Sequence, residues 1–403
     1  MEVVTVGCGM AAAEFATTLR EYGFRENITM ISNEPFIPYS PCSMPFFVSG
    51  EPLETVFWKR KDFFDKYNIK AILDDAVASI DTDGQVISTA KGRNIYYDKM
   101  LYAPGSRSFF PQEEWLETYG VFGFKNLTDI VSIDEYIRKE NVKNALVFGG
   151  GFIGVDAALS LWKRGLNVTL VHRNNRVLSQ MTDVEGGIFA TERLREKTDI
   201  NIKLKSVVKD IFSSDGKIKG AVLDDGTYLD IDLLIITIGV RPNSEILGVE
   251  GGIKVDNSLK FNDNIYAAGD VASTKHLITG EHGIYATYPN ARVQARSAVY
   301  NILFNKNLFR GSINTNVLKK HIDFPIISAG VFEGEEFTYQ NKNIFRKIYM
   351  KDNKINGYIL VGDTIISGFV YNLYITQKEI GNQINKYLGL KKGKAYYIYA
   401  LSS

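Results

Sequence analysis

Two glycine-rich segments decide the expected fold: GCGMAA at residues 7–12 and GGGFIG at residues 149–154. Each follows an apolar run (3–6 and 145–148) and opens an alanine-rich stretch with helical character. Glycines in this context let the backbone approach a pyrophosphate, whose charge then lies at a helix N-terminus. We therefore predict an α/β fold with two Rossmann-like dinucleotide-binding domains, and a redox enzyme is the simplest reason to hold two dinucleotides. The positions predicted to contact them are Gly7, Gly9, Ala11, Ala12, Gly149, Gly151, Ile153 and Gly154.

The composition is that of an ordinary globular protein. The chain has 403 residues, 45% of them apolar and 23% charged, which predicts two or three domains. A net charge of +1 gives no electrostatic support for binding nucleic acid or a membrane surface. No uncharged apolar run reaches the about 18 residues of a membrane-spanning helix, and a strand expected from residue 2 or 3 leaves no room for a secretory signal. The only cysteines, Cys8 and Cys42, argue against a disulfide framework and favour a cytoplasmic protein.

Strand and turn signals organise the rest of the chain. Three prolines make the segment 35–42 irregular. The last ninety or so residues are rich in Lys, Asn, Tyr and Ile and predict a small α+β domain. The other predicted elements are strands at 99–103, 218–222, 233–238 and 264–268, a strand-helix-strand unit over 144–171, a helix over 289–303, and C-terminal strands at 345–350 and 355–361.

The end of the second strand of each unit carries the residues expected to select the nucleotide. After the first glycine segment, Glu34 is the candidate to bind the adenosine ribose hydroxyls. A solvated turn carboxylate is the alternative. After the second segment the strand ends in His172-Arg173, with Arg176 nearby and no carboxylate. An arginine here can accept a 2′-phosphate, which favours NADPH over NADH, and a solvated basic turn is the alternative.

Further motifs, in a fixed order, make the chain resemble the FAD-dependent pyridine nucleotide-disulfide oxidoreductases over about residues 1–310. The strand ending in Gly269-Asp270 matches the family segment whose aspartate binds the FAD ribityl chain, and GVRPN at 239–243 matches the segment leaving the NAD(P) domain at Gly239. The family's Ala-Thr-Gly turn appears here as Ala-Pro-Gly ending at Gly105, without the hydroxyl.

The resemblance implies FAD and NAD(P)H as cofactors and assigns two more residues. Phe152 stands where the family often has an aromatic ring covering the flavin, and Asp156 where a glutamate commonly approaches the nicotinamide. Packing and solvated helix positions are the alternatives for these two residues. The implied domains are an FAD domain from 1–111 and 245–308, an NAD(P) domain at 112–244, and a C-terminal α+β domain at 309–403.

Cys42 is the candidate catalytic residue. The segment 42–50, CSMPFFVSG, resembles the single-cysteine branch of the family, which includes coenzyme A disulfide reductases, NADH oxidases and peroxidases. A single sulfur can accept two electrons when it is disulfide-bonded, sulfenic or persulfidic. The alternative is a buried structural thiol. Cys8 occupies a variable position of the first glycine segment and is interpreted as a small filler.

The C-terminal region favours a different branch. Its strands resemble the small domain of rubredoxin reductases and of the flavoprotein part of nitrite reductases, which pass electrons singly to a carrier without a redox cysteine. An ordinary surface hairpin is the alternative. The acceptor therefore stays open between a small-molecule disulfide or sulfur substrate and a small electron-carrier protein. A flavin-binding interaction module is a third hypothesis; the basic, tyrosine-rich tail 391–399 could dock its partner, although a terminal strand is the favoured interpretation of that tail. A homodimer is left open.

The remaining histidines predict no metal site. His276, His282 and His321 lack metal-ligand spacing and are expected to be ordinary surface or packing residues. The His-x-x-x-x-Glu pair of dithiol family members is absent. Any proton for a departing thiolate would come from water or from a tyrosine such as Tyr371 or Tyr374.

Overall fold

The computed structural model of the protein describes residues 1–319 and 321–380, together with residues 384 and 388. The tail 391–399 lies outside these residues. The described helices are α1 (Met10–Glu21), α2 (Met44–Val48), α3 (Phe63–Lys66), α4 (Leu127–Glu140), α5 (Phe152–Lys163), α6 (Val184–Lys197), α7 (Tyr288–Phe304) and α8 (Ser367–Thr376).

The described strands are, in chain order, β1 (Val3–Val6), β2 (Ile28–Ile31), β3 (Lys70–Ile72), β4 (Val77–Asp81), β5 (Val86–Thr89), β6 (Asn94–Tyr96), β7 (Lys99–Tyr102), β8 (Ser106–Ser108), β9 (Val121–Phe122), β10 (Asn144–Phe148), β11 (Asn167–His172), β12 (Asn201–Leu204), β13 (Val208–Ser214), β14 (Lys217–Leu223), β15 (Tyr228–Asp230), β16 (Leu233–Ile236), β17 (Val240–Pro242), β18 (Ile253–Lys254), β19 (Ile265–Ala267), β20 (Ala272–Lys275), β21 (His282–Ile284), β22 (Thr315–Leu318), β23 (Ile326–Gly330), β24 (Glu335–Gln340), β25 (Phe345–Lys351) and β26 (Lys354–Val361).

The first large sheet is parallel and has the strand order β19-β7-β1-β2-β3. Every residue of β1 and β2 is buried, as expected for a parallel sheet covered on both faces. Helix α1 leaves the carboxyl end of β1 and packs against α7. The first glycine segment therefore lies at the carboxyl edge of this sheet, where open α/β sheets bind ligands.

The second large sheet repeats this arrangement. Its order is β12-β11-β10-β16-β9, again parallel. Helix α5 follows β10 through the second glycine segment and packs on β10 and β11. These two units confirm the predicted fold class of two Rossmann-like dinucleotide-binding domains. The predicted domain boundaries stay a prediction.

The third large sheet is antiparallel, with the order β22-β23-β26-β25-β24. One face, with Phe345 and Ile359, shares a core with α6, and the other, with Tyr358 and Leu360, shares a core with α8. Because helices cover both faces, residues 345–350 are all buried. The alternative of an ordinary surface hairpin is therefore wrong.

None of the helices in the described part of the chain is long and apolar enough to cross a membrane.

Candidate active site

The first glycine segment forms a cradle at the start of α1. Gly7 has φ +103°, and a Cβ there would collide with the carbonyl oxygen of Ala103, so only glycine lets β1 pass this close to the neighbouring strand. Gly9 caps α1, and a Cβ on Gly9 would meet nothing within 4 Å. Ala11 and Ala12 are buried behind this space in the first turn of the helix. The open space beside a helix N-terminus fits a pyrophosphate.

The second glycine segment has the same construction. Gly149 has φ +121°, and a Cβ there would collide with the carbonyl oxygen of Thr237. A Cβ on Gly154 would collide with the carbonyl oxygen of Gly149, so α5 packs directly on the turn. Gly151 caps α5 and, like Gly9, leaves the space beside it open. Ile153 is half-buried next to it. The geometry therefore fits a second pyrophosphate.

Asp270 lies at the first cradle and is held by two donors. Lys125 Nζ lies 2.7 Å from Asp270 Oδ2, and the Ser106 hydroxyl donates to the same oxygen at 3.0 Å. Burial alone would raise the pKa of Asp270, but Lys125 and Ser106 outweigh it and lower that pKa. A Cβ on Gly269 would lie 3.6 Å from the Cβ of Ala11. The Gly-Asp turn therefore lies over the first turn of α1 as an ionised acceptor suited to hydroxyl groups.

Lys125 was not found by sequence reasoning. It directly precedes Asn126, the N-cap of α4, whose capping box with Asp129 is visible in the sequence as an Asn three residues before an Asp. That signal locates the start of a helix. It does not reveal the contact of Lys125 with Asp270, which is far away along the chain.

Gly105 and Gly239 lie beside two paired strands, β8 and β17. Strands β8 and β17 pair antiparallel, and Asn243 N donates to Gly105 O at 3.0 Å. Phe109 N donates to Gly239 O at 2.9 Å. Gly239 has φ +143° with open space at its Cβ position. The pairing of β8 with β17 therefore brings the Ala-Pro-Gly turn next to the GVRPN segment.

Glu34 is held by hydrogen bonds from the irregular segment 35–42 and from the start of α4. Tyr39 donates its hydroxyl to Glu34 Oε2 at 2.8 Å, and the Thr128 backbone N–H and hydroxyl both donate to Oε1 at 3.2 Å. The side chain is half-buried, at the end of β2 and against the start of α4. Each carboxylate oxygen keeps acceptor capacity, so the predicted ribose contact stays a prediction.

His172 lies beneath the second glycine segment. The Gly150 N–H donates to His172 Nδ1 at 3.0 Å, and Nε2 lies 3.2 Å from the Ser179 hydroxyl. Burial lowers the pKa of His172 to about 4, with smaller contributions from Arg173 and Arg176. The ring is therefore neutral at neutral pH, and the cations available to a 2′-phosphate are Arg173, which is exposed, and Arg176, which is half-buried.

Phe152 and Asp156 lie in the first turns of α5. Phe152 is half-buried and packs against the apolar core that includes α2 and α5. Asp156 is 4% exposed, so it is not a solvated helix residue. Neither position decides between packing and a nicotinamide contact, and both roles stay predictions.

Cys42 is exposed, so the alternative of a buried structural thiol is wrong. It lies in a 3-10 turn, Pro41–Ser43, directly before α2. Arg164, directly after α5, donates from Nη1 to Val48 O at the end of α2 (3.0 Å) and to Asp134 Oδ1 on α4 (2.6 Å). The cysteine segment is thus anchored on α4 and α5. Cys8, by contrast, is buried, and burial raises its pKa to about 12, so it stays a protonated filler.

The tyrosines expected to supply a proton lie elsewhere. Tyr374 is fully buried between α8 and the third sheet, with its hydroxyl 3.5 Å from His276 Nε2, and Tyr371 packs against the same core. Tyr288, at the start of α7, is within electrostatic range of Cys42. Burial raises the pKa of Tyr288, Arg292 lowers it, and Cys42 raises it further.

His321 of the C-terminal part contacts the cysteine segment. The ring of His321 lies 5.3 Å from that of Phe46 in an edge-to-face arrangement. Among the described residues, no group of three His, Cys, Asp or Glu side chains is placed to hold a metal ion.

Comparisons with known proteins agree with this geometry. The model of the family "Pyridine nucleotide-disulphide oxidoreductase" matches residues 1–295. The NAD(P)H sulfur oxidoreductase (CoA-dependent) of Pyrococcus abyssi is 29% identical, over 83% of this chain and 76% of the relative. The rhodocoxin reductase of Rhodococcus erythropolis is 30% identical, over 73% of this chain and 70% of the relative. The reductase in the covalent putidaredoxin reductase–putidaredoxin complex superposes with a TM-score of 0.88 at 23% identity, over 99% of this chain and 98% of that one.

Proposed function

Because the chain belongs to the pyridine nucleotide-disulphide oxidoreductase family, it is an NAD(P)H-dependent flavoprotein oxidoreductase, and we propose that it reduces a disulfide or persulfide through Cys42. FAD, when bound, accepts hydride from NAD(P)H and supplies its two electrons to an acceptor. The residues that would hold FAD are those of the first cradle, with Glu34 and Asp270. The second cradle would hold NAD(P)H. The interaction-module hypothesis is not needed for a chain of this family.

The sulfur of Cys42 carries the proposed chemistry. As a thiolate it attacks a substrate disulfide, forming a mixed disulfide and releasing one substrate sulfur as a thiol. Two electrons and one proton then cleave the mixed disulfide to the Cys42 thiolate and a second thiol. One NAD(P)H and one further proton balance each cycle. Tyr288 and water are the candidate proton donors.

The observation that carries this proposal is the exposure of Cys42 on an anchored segment. A thiol reacts only where a substrate sulfur can reach it. The similarity to a CoA-dependent sulfur oxidoreductase supports the same chemistry.

Replacing Cys42 with Ser tests the proposal. The variant is expected to lose NAD(P)H-dependent reduction of coenzyme A disulfide and of polysulfide. Reduction of an artificial dye is measured in parallel as the control for flavin loading. Unchanged disulfide and polysulfide reduction in Cys42→Ser rules out the role of this sulfur.

The second candidate function is reduction of a rubredoxin-like or ferredoxin-like carrier. It is favoured by the third sheet, because the superposition with putidaredoxin reductase extends over both chains nearly completely, and by the similarity to rhodocoxin reductase. In this case Cys42→Ser leaves carrier reduction at the wild-type rate. Rubredoxin and [2Fe–2S] ferredoxin, each assayed with wild-type protein and with Cys42→Ser, are the acceptors that separate the two functions.

We also propose that NADPH is preferred over NADH, with Arg173 and Arg176 as the residues that bind the 2′-phosphate. The absence of a carboxylate at the end of β11 supports this, because a carboxylate there would repel the phosphate. The ratio of kcat/KM for NADPH to that for NADH is expected to fall at least about tenfold in Arg173→Ala. An unchanged ratio in both arginine variants contradicts the preference.

A cytoplasmic location and a homodimer are further proposals of the same kind. The first is supported by two thiols without a disulfide between them. Fractionation of cells and light scattering of the purified protein test them.

A further inference from the structure

The loop between β11 and α6, residues 173–183, carries both arginines proposed to bind the 2′-phosphate. It is fixed to the second glycine segment, because Leu178 N donates to Gly150 O at 2.7 Å. Asn174 Nδ2 donates to the Ser179 hydroxyl at 2.7 Å within the loop. Its arginines therefore have defined positions relative to the dinucleotide cradle.

Arg176 is held by the far end of this loop. Its Nε donates to the backbone carbonyl of Asp183 at 3.0 Å, and its Nη1 donates to Asn175 Oδ1 at 3.1 Å. Gly187 makes room for the side chain, since a Cβ there would come within 2.5 Å of Arg176 Cδ. Nη2 donates to no residue in the part of the chain that the structure describes, which leaves an N–H group for a phosphate oxygen.

Asp183 is in turn held by the third sheet. The Tyr349 hydroxyl donates to Asp183 Oδ2 at 2.6 Å, and Lys347 Nζ lies 3.0 Å from the same oxygen. The other oxygen, Oδ1, accepts from Gly186 N at 2.7 Å as the N-cap of α6. Asp183 therefore joins the arginine loop, the start of α6 and the third sheet at one point.

Lys347 is an unusual residue for this position. Its side chain is only 4% exposed, and Glu336 and Glu185 lie 2.8 Å and 3.2 Å from Nζ in addition to Asp183. Burial alone would lower the pKa of Lys347, but the three carboxylates raise it. A buried cation serving three carboxylates fixes their geometry, because losing it would leave them to repel one another.

We propose that Lys347 and Tyr349 are positioning residues for coenzyme selectivity: by fixing Asp183, they hold the Arg176 guanidinium where it meets the 2′-phosphate of NADPH. This inference rests on the proposed NADPH preference. Two residues of the third sheet thereby affect binding at the adenosine end of the nucleotide. Lys347 and Tyr349 act there indirectly, through Asp183.

Calorimetry on the purified flavoprotein, with 2′,5′-ADP and 5′-AMP as probes, tests this. The selectivity, defined as the ratio of the two dissociation constants, isolates the 2′-phosphate from the rest of the nucleotide. Wild-type protein is expected to favour 2′,5′-ADP at least about tenfold. Lys347→Met and Tyr349→Phe are each expected to reduce this selectivity on the order of fivefold. In an Arg176→Ala background, neither substitution should change it further.

Lys197→Met is the matched control. Lys197 on α6 pairs with Asp323 at 2.9 Å across the same contact between α6 and the C-terminal part, but it does not touch Asp183. Its removal should leave the selectivity at the wild-type value. Tyr349→Phe removes a single hydroxyl and decides the matter if Lys347→Met fails to fold.

The outcomes separate the two claims. A wild-type protein that binds both probes equally shows that the NADPH preference is wrong, and this inference falls with it. Selective wild-type protein that loses selectivity in Arg176→Ala but keeps it in Lys347→Met and Tyr349→Phe overturns only the positioning role. Equal weakening of both probes in those two variants does the same, because it indicates a purely structural role.

Discussion

Replacing Gly9 with Ala separates the role of the first cradle in cofactor binding from its role in the fold. A Cβ on Gly9 meets nothing within 4 Å, and its backbone angles of φ −77° and ψ −165° are accessible to alanine. The protein without cofactor should therefore be as stable as wild type, or more stable by up to about 1 kcal/mol through the unfolded state. The added methyl group would occupy the space in which we place the pyrophosphate of FAD.

The expected cost falls on FAD binding. Displacing the pyrophosphate from the N-terminus of α1 weakens about two charge-assisted hydrogen bonds, worth about 3 kcal/mol together. This corresponds to an increase of roughly 150-fold in the Kd for FAD. Fluorescence titration of the deflavinated protein with FAD measures the Kd, and urea denaturation of the same protein measures the fold.

Gly7→Ala is the matched control, because it is expected to destabilise the protein itself, whereas Gly9→Ala is not. Gly7 has φ +103°, and its Cβ would collide with the carbonyl oxygen of Ala103, so this variant should lose stability even without FAD. Wild-type affinity for FAD in Gly9→Ala would refute the placement of the pyrophosphate. Loss of stability in Gly9→Ala as large as in Gly7→Ala would refute the reading of the space as open.

Three further predictions concern buried and exposed groups. Glu14 is held by two arginines of α7; burial alone would raise its pKa, but the arginines lower it from 4.5. This stabilisation is present above pH 4.5 and is lost as pH falls through the lowered value, so Glu14→Gln should cost about 2 kcal/mol at pH 7 and less below pH 4, measured by thermal denaturation. In the native reduced protein, a thiol reagent such as Ellman's should modify Cys42 and leave Cys8 until unfolding; rapid modification of both would contradict the burial of Cys8. Substituting Phe for His172 leaves the Gly150 N–H without its acceptor and should destabilise the protein by about 2 kcal/mol in urea denaturation, whereas His172→Asn should recover part of that loss.

Sequence reasoning reached the features that depend on local chemistry. The glycine segments could be found because strand, turn and helix follow one another directly in the sequence. Each of the three requires its own residue types. Asp270 was assigned through the family resemblance, which rests on a strand ending in Gly-Asp, and its contact with FAD stays a prediction. The exposure of Cys42 was reached only as one of two alternatives, because burial depends on distant segments.

The features that were missed are contacts between distant residues. Lys125, just before α4, meets Asp270, just after β19, and Lys347 of β25 meets Asp183 at the start of α6. Neither pair can be recognised from the sequence, because the hydrophobic and capping patterns around each residue are complete without its distant partner. The burial of β25 was missed for the same reason, since the helix that covers it, α6, is far away along the chain.

Under the proposed mechanism, Cys42 exchanges electrons with the bound cofactor. The purified yellow protein is first treated with coenzyme A disulfide so that Cys42 carries a mixed disulfide, freed of excess reagent, and then titrated anaerobically with NADPH while the flavin absorbance is followed. Uptake of more than two electrons per FAD is expected, with a long-wavelength thiolate charge-transfer band that is absent from Cys42→Ser. Bleaching that stops at two electrons in wild-type protein, with no such band, would contradict the proposed mechanism and leave a one-electron carrier as the acceptor.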